Sequence, residues 1–155
     1  MIVKTTRFGE LEVDDSNIIT MPKGLLGFEN FTEFCLIQHR PEVNLRWFQS
    51  TQESSLAFVV VDPSEFVSDY EIEISDADSE KLHLDSADDA LVLTIVTLNN
   101  EDKRITTNLA APIVINSKEL CGMQVVLQDN RYPIKHTLVE NTQVKTEEKT
   151  ALKAA

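Results

Sequence analysis

Positive charge is scarce in this sequence. Its 155 residues carry 14 lysines and arginines against 26 aspartates and glutamates, a formal net charge of −12. That balance argues against direct binding of nucleic acid, because displacing phosphate counterions requires Lys and Arg. It equally disfavours docking on anionic membranes, and it suits a basic protein partner. Long apolar runs are missing as well. Nothing approaches the ~20 residues of a transmembrane helix, and Lys4 and Arg7 interrupt the start before a signal core can form, so the chain reads as soluble and unexported. Cysteine is limited to Cys35 and Cys121. Two isolated cysteines in apolar surroundings make no disulfide framework and read as buried free thiols. Glycine numbers only four, so a cluster of glycines signals a backbone shape that needs them.

What the chain does have is a series of short β-branched runs. Leu91 to Leu98 is the most apolar, with both alternating faces hydrophobic, and reads as a central strand covered on both sides. Ile113–Ile115 and Val125–Leu127, separated by the turn residues Asn116, Ser117 and Gly122, predict an antiparallel hairpin, with Pro112 at a strand start. Ile2–Thr5, Glu10–Val13, Ile18–Met21, Phe34–Gln38, Leu45–Gln49, Leu56–Val61, Tyr70–Ile74 and Ile134–Val139 are further strand candidates. His39–Glu42, Gln49–Ser55 and Asn99–Asp102 read as connections. Helix is confined to a turn at Ser64–Val67, capped by Asp62 with Pro63 in its first position, and to Asp76–His83, capped by Ser75. This pattern, without βαβ alternation, predicts an all-β, mainly antiparallel fold: a single small β-barrel-like domain over residues 1–139 with one or two short helices. Residues 140–155 are rich in Lys, Glu, Thr and Ala and read as a mobile polar tail.

Two stretches stand out from the rest. Gly24-Leu25-Leu26-Gly27-Phe28, after Met21-Pro22-Lys23, spends two of the four glycines within four residues. It predicts a specific loop with Leu25, Leu26 and Phe28 tucked beneath it. It lacks the Lys-Ser or Lys-Thr of a phosphate-binding loop. The other is acidic: half of the 26 acids fall between Asp62 and Asp102, against one base, Lys81. A solvated face and a docking face for a basic partner both fit this stretch.

A search for catalytic machinery finds little. His39, His83 and His136 are far apart, with no two-histidine metal spacing. No nucleophile elbow or dinucleotide loop is present. A pairing of Cys35 or Cys121 with a histidine has no local support. The inventory therefore points to a binding module that uses no metal or cofactor.

The motifs themselves, in order, are Phe8-Gly9; Met21-Pro22-Lys23-Gly24-Leu25-Leu26-Gly27-Phe28-Glu29; Gln49-Ser50; Phe58-Val59-Val60-Val61-Asp62-Pro63 with Phe66 and Asp69-Tyr70; Thr107-Asn108-Leu109-Ala110-Ala111-Pro112-Ile113-Val114-Ile115-Asn116; and Gly122-Met123-Gln124-Val125-Val126-Leu127. Their order and spacing resemble the bacterial flagellar assembly factor FliW family from about Ile2 to Leu138. The resemblance implies a cytoplasmic, non-enzymatic protein with a small β-barrel-like fold. It further implies two partners. Members of that family bind flagellin before export, and when released from it they bind and antagonise the RNA-binding translational regulator CsrA, relieving repression of flagellin synthesis. For a basic partner of this kind, Glu71, Glu73, Asp76, Asp78 and Glu80 are the expected acidic contacts. For flagellin, whose terminal segments are amphipathic, Gly24, Leu25, Leu26 and Phe28 and the Asn108–Pro112 corner are the candidates, although the same residues can simply build the barrel. The rival expectation is a small-ligand-binding or enzymatic β-barrel, marked by a deep pocket lined by Cys35 or Cys121 with a histidine.

Overall fold

The computed structural model describes residues 1–38, 44–98, 104–128 and 131–138. The expected connections at 39–42 and 99–102, Val139 and the polar tail at 140–155 lie outside the described residues. In chain order the strands are β1 (Ile2–Thr5), β2 (Gly9–Glu12), β3 (Ile19–Thr20), β4 (Glu33–Ile37), β5 (Arg46–Ser50), β6 (Ala57–Val61), β7 (Ala90–Leu98), β8 (Ile105–Thr107), β9 (Ile113–Asn116), β10 (Gly122–Gln124) and β11 (His136–Thr137). A single α-helix is described, α1 (Asp76–Lys81), with 3-10 turns at Asp15–Asn17, Pro63–Glu65 and Ala87–Asp89. The all-β expectation holds.

β1 and β2 form a separate hairpin. Gly9 turns it at φ +69°, an angle that suits glycine. The other strands make one curled antiparallel sheet in the order β10-β9-β7-β6-β5-β4-β3, with β8 and β11 attached through β7. Its two ends meet where Thr20 bridges Cys121 and the Thr20 N–H donates to the Leu120 carbonyl at 2.9 Å. The sheet thereby curls into a half-barrel. β7 is the central strand the sequence predicts. Residues Ala90–Leu93 pair with β9, Thr94–Val96 with β6 and Val96–Leu98 with β8.

Alternation along the strands sorts side chains to two faces. Val60 and Phe48 point into the barrel with Ile19, Met21, Leu25, Phe34, Leu93, Ile113 and Ile115. Phe34 and Phe48 stack there with centroids 4.4 Å apart. Val59, Val61 and Trp47 point the other way, into a second cluster with Leu45, Val96, Ile105 and Leu138. Phe8, from the β1–β2 connection, meets Trp47 edge-on at 5.8 Å. A third cluster lies on the outside of the β9–β10 hairpin, where Leu82, Ile72, Ile74 and Leu84 cover Val114, Val125, Met123 and Leu127.

Several expectations need correcting. Gln49 and Ser50 belong to β5 and are fully buried rather than lying in a polar connection. The Gln49 amide is nevertheless a turn-builder: it donates to carbonyls of Ser54 and Leu56 at 3.2 Å each, holding the β5–β6 connection. The β9–β10 hairpin pairs Ile115 with Gly122 and Ile113 with Gln124, so its second strand is Gly122–Gln124 and ends before the expected Val125–Leu127 run. Gly122 sits there because a Cβ would come 2.8 Å from the Met21 sulfur and 3.1 Å from the Val114 carbonyl. Tyr70–Ile74 has the predicted alternation, with Glu71 and Glu73 exposed, but joins no sheet. It lies across the face of the β9–β10 hairpin, which imposes the same period without a ladder. The last strand shrinks to β11, and Ile134 is 67% exposed.

Candidate functional site

The residues between Asp62 and Ala90 leave the barrel wall and return to it, forming a cover over the β9–β10 hairpin. Local chemistry fixes each part. Asp62 caps the turn at Pro63–Glu65 through the Ser64 N–H. Ser75 caps α1 by accepting from the Asp78 N–H, and acids in its first turn face the positive end of the helix. The helix stops in a Schellman arrangement: the Leu84 N–H donates to the Ser79 carbonyl at 3.0 Å and the His83 N–H to the Glu80 carbonyl at 3.1 Å. His83 occupies the left-handed position at φ +55° that glycine usually fills.

Side chains then peg the cover down. Asn116, buried on β9, donates to the Leu82 carbonyl at 2.9 Å and the His83 carbonyl at 3.1 Å, while its oxygen accepts from the Lys118 and Glu119 N–H groups. At the other end Tyr70 and Tyr132 pack with ring centroids 4.6 Å apart. The Tyr70 hydroxyl donates to the Leu109 carbonyl at 2.7 Å, and the Tyr132 hydroxyl accepts from the Glu71 N–H at 2.9 Å. Burial first, and the neighbouring Tyr132 second, push the Tyr70 phenol well above its usual range.

Between the cover and the end of the β10 segment lies a cleft of about 570 Å³. One wall is Glu71–Ser75 with Asp78; the other is Val125–Gln128 with Arg131 and Tyr132. Of the five acids expected to meet a basic partner, Glu71, Glu73 and Asp78 line this cleft. Asp76 and Glu80 are exposed on α1 and do not. Arg131 also borders the cleft, its guanidinium 5.2 Å from the centre of the Tyr132 ring.

The apolar candidates divide too. Leu25 is buried at the barrel mouth, but Leu26 is 60% and Phe28 38% exposed, so the expected tuck holds only for Leu25. The reason is the tightness of the loop. Gly24 at φ +60° lies so close to the following backbone that a Cβ would come 2.5 Å from the Phe28 carbonyl oxygen, and the turn throws Leu26 outward. The Leu26 N–H donates to the Gln124 side chain at 2.9 Å, and Phe28 meets Phe58 edge-on at 5.2 Å. Asn108 and Pro112 belong to the corner where the chain passes from β8 to β9. The Asn108 side-chain oxygen accepts from the Ala110 and Ala111 N–H groups, and the Pro112 carbonyl accepts from the Val125 N–H. Both shape the backbone there.

Sequence reasoning missed Val126, Arg131 and Tyr132. Val126 is 53% exposed although it sits in an apolar run. The two others lie in a stretch that reads only as loop. The cleft is lined by neither a cysteine nor a histidine. Burial pushes both thiols up, away from activation. Among the described residues, no group of three His, Cys, Asp or Glu side chains could hold a metal ion, and no helix is long and apolar enough to cross a membrane.

Comparison with known proteins agrees with the fold and identifies the family. The model of the family described as "FliW protein" matches residues 2–138. The flagellar assembly factor FliW of Geobacter sulfurreducens is 41% identical over 136 residues, covering 88% of this chain and 85% of that protein. The FliW of Syntrophus aciditrophicus is 39% identical over 141 residues, covering 91% and 89% respectively. A crystal structure of the flagellar assembly factor FliW superposes with a TM-score of 0.82 at 30% identity, covering 92% of this chain and 99% of that one. The family bears the name of an assembly factor and not of an enzyme, and this chain belongs to it.

Proposed function

We propose that this protein serves flagellar assembly in the cytoplasm as a partner switch: it holds flagellin before export and, once released, binds and antagonises CsrA, relieving repression of flagellin translation. The observation that carries the CsrA half is the gathering of Glu71, Glu73 and Asp78 on one cleft in a chain of net charge −12. A regulator that holds RNA must be basic, and an acidic surface docked beside its RNA site steers it in and repels phosphate. Asp76 and Glu80 extend the same negative field from α1. The flagellin half rests on family membership and on exposed Leu26 and Phe28, which offer apolar contact to an amphipathic segment. Gly24, Leu25, Asn108 and Pro112 serve that surface by shaping it.

The test is a titration against CsrA and flagellin, separately and in competition, at low and moderate salt. CsrA binding should weaken with salt and be displaced by flagellin. Reversing the charges of Glu71, Glu73, Asp76, Asp78 and Glu80 together should weaken CsrA binding and flatten its salt dependence. Binding to neither protein overturns the proposal.

A further inference from the structure

The cleft has a property beyond its charge: among the described residues, the backbone groups of Val126 on one wall and of Ile72, Glu73 and Ile74 on the other have no hydrogen-bond partner. β10 ends the sheet order. Beyond Gln124 the chain stays extended beside the corner, with the Val125 N–H donating to the Pro112 carbonyl and the Leu127 N–H to the Ala110 carbonyl, both at 2.9 Å. Strand geometry alternates the direction of these groups, so the N–H and C=O of Val126 point away from the corner, off the open edge. Among the described residues they have no hydrogen-bond partner. Opposite, the backbone groups of Ile72, Glu73 and Ile74 also have none. Ile72 and Ile74 are half-buried, where backbone groups are ordinarily paired, and unpaired groups on an open strand edge, such as those of Val126, are a template for another strand.

We propose that this cleft takes up an extended segment of a partner protein as an added strand, roughly five residues long, in which basic side chains alternate with apolar ones. The alternation follows from the walls. Glu71 and Glu73 share the exposed face of their segment, and Asp78 stands at the same cleft, so every second residue of the guest meets carboxylates. The residues between, on the guest's other face, meet Val126, which is 53% exposed. Opposite charges directly across a strand pair favour this register and like charges oppose it. The proposal rests on the reading above that this face docks a basic partner, and adds how it does so.

The experiment uses the full chain and short fluorescent peptides at moderate salt. One peptide alternates lysine and valine, one alternates glutamate and valine, and one is the lysine peptide N-methylated at alternate residues, which keeps its charge but removes the donors for one edge. Only the first should bind, and the other two should be weaker by roughly tenfold or more. Glu71→Gln with Glu73→Gln should weaken the lysine peptide by a similar factor, without unfolding a pair of exposed side chains. Amide exchange at Ile72, Ile74 and Val126 should slow when the peptide binds. Equal binding of the N-methylated peptide, or no slowing at those amides, overturns strand addition even if CsrA binds the protein. Binding of the lysine peptide with these signatures, but no CsrA binding, upholds the strand site while removing CsrA as its guest.

Discussion

The barrel interior and the cover are both apolar, but they are held by different means. Inside the barrel, Phe34, Phe48, Leu93 and Ile113 are fully buried on strands whose ladders run from β3 to β10. The cover buries Leu82 and half-buries Ile72 and Ile74, yet residues 72–74 lend no backbone hydrogen bond to any neighbour among the described residues. It is held by hydrophobic pegs, by Asn116, by the two tyrosines and, where it returns to β7, by Ser117 and Lys118 on Asp89. The comparison teaches that a wall built on ladders carries stability, whereas a cover held mostly by side chains leaves backbone edges available for binding.

Substitutions can break or sharpen this contrast. The largest effect is expected from Phe34→Ala, which empties half of the stacked pair in the barrel and should cost about 3–5 kcal/mol in urea unfolding. Asn116→Ala removes the peg between hairpin and cover and leaves the Leu82 carbonyl with only the weak Cys121 thiol donor at 3.4 Å. It should cost about 2–3 kcal/mol, with faster amide exchange concentrated in residues 76–84. If it cost as much as Phe34→Ala, the cover would be as integral as the wall and the contrast would fail. Tyr70→Phe deletes one hydrogen bond and should cost about 1 kcal/mol. It also has a pH signature. The folded state raises the Tyr70 pKa, so the stability tied to its neutral form is complete below the unfolded tyrosine value of about 10 and is lost as pH climbs above it. Wild-type stability should decline in that alkaline range, and Tyr70→Phe should decline less. The smallest effect belongs to Glu71→Gln with Glu73→Gln, two exposed acids whose neutralisation should shift unfolding by less than about 0.5 kcal/mol.

Much of the wall was legible in the sequence, and the cover was legible only in part. Leu91–Leu98 announces a central strand because both of its faces are apolar, and β7 is that strand. Ser75 and Asp62 announce their turns because a short polar side chain at a cap has a specific job. Tyr70–Ile74 shows where legibility stops: period-two burial follows whether an extended segment joins a ladder or lies across a sheet face. Gln49 shows another limit, since hydropathy places it outside while its amide serves carbonyls within a turn. At the site, Glu71, Glu73 and Asp78 stand out through charge. Val126 does not, because exposure of one residue in an apolar run depends on which neighbour the sheet lacks.

β6 and β7 are consecutive strands and direct antiparallel neighbours. In topological terms the cover is therefore the loop of an ordinary hairpin, one that has acquired its own helix and its own small core. The entropy of closing a loop grows only with the logarithm of its length. Such an excursion can lengthen, shorten or change its sequence while β6 and β7 keep their register, which gives the molecule a region where recognition can be retuned without rebuilding the barrel beneath it.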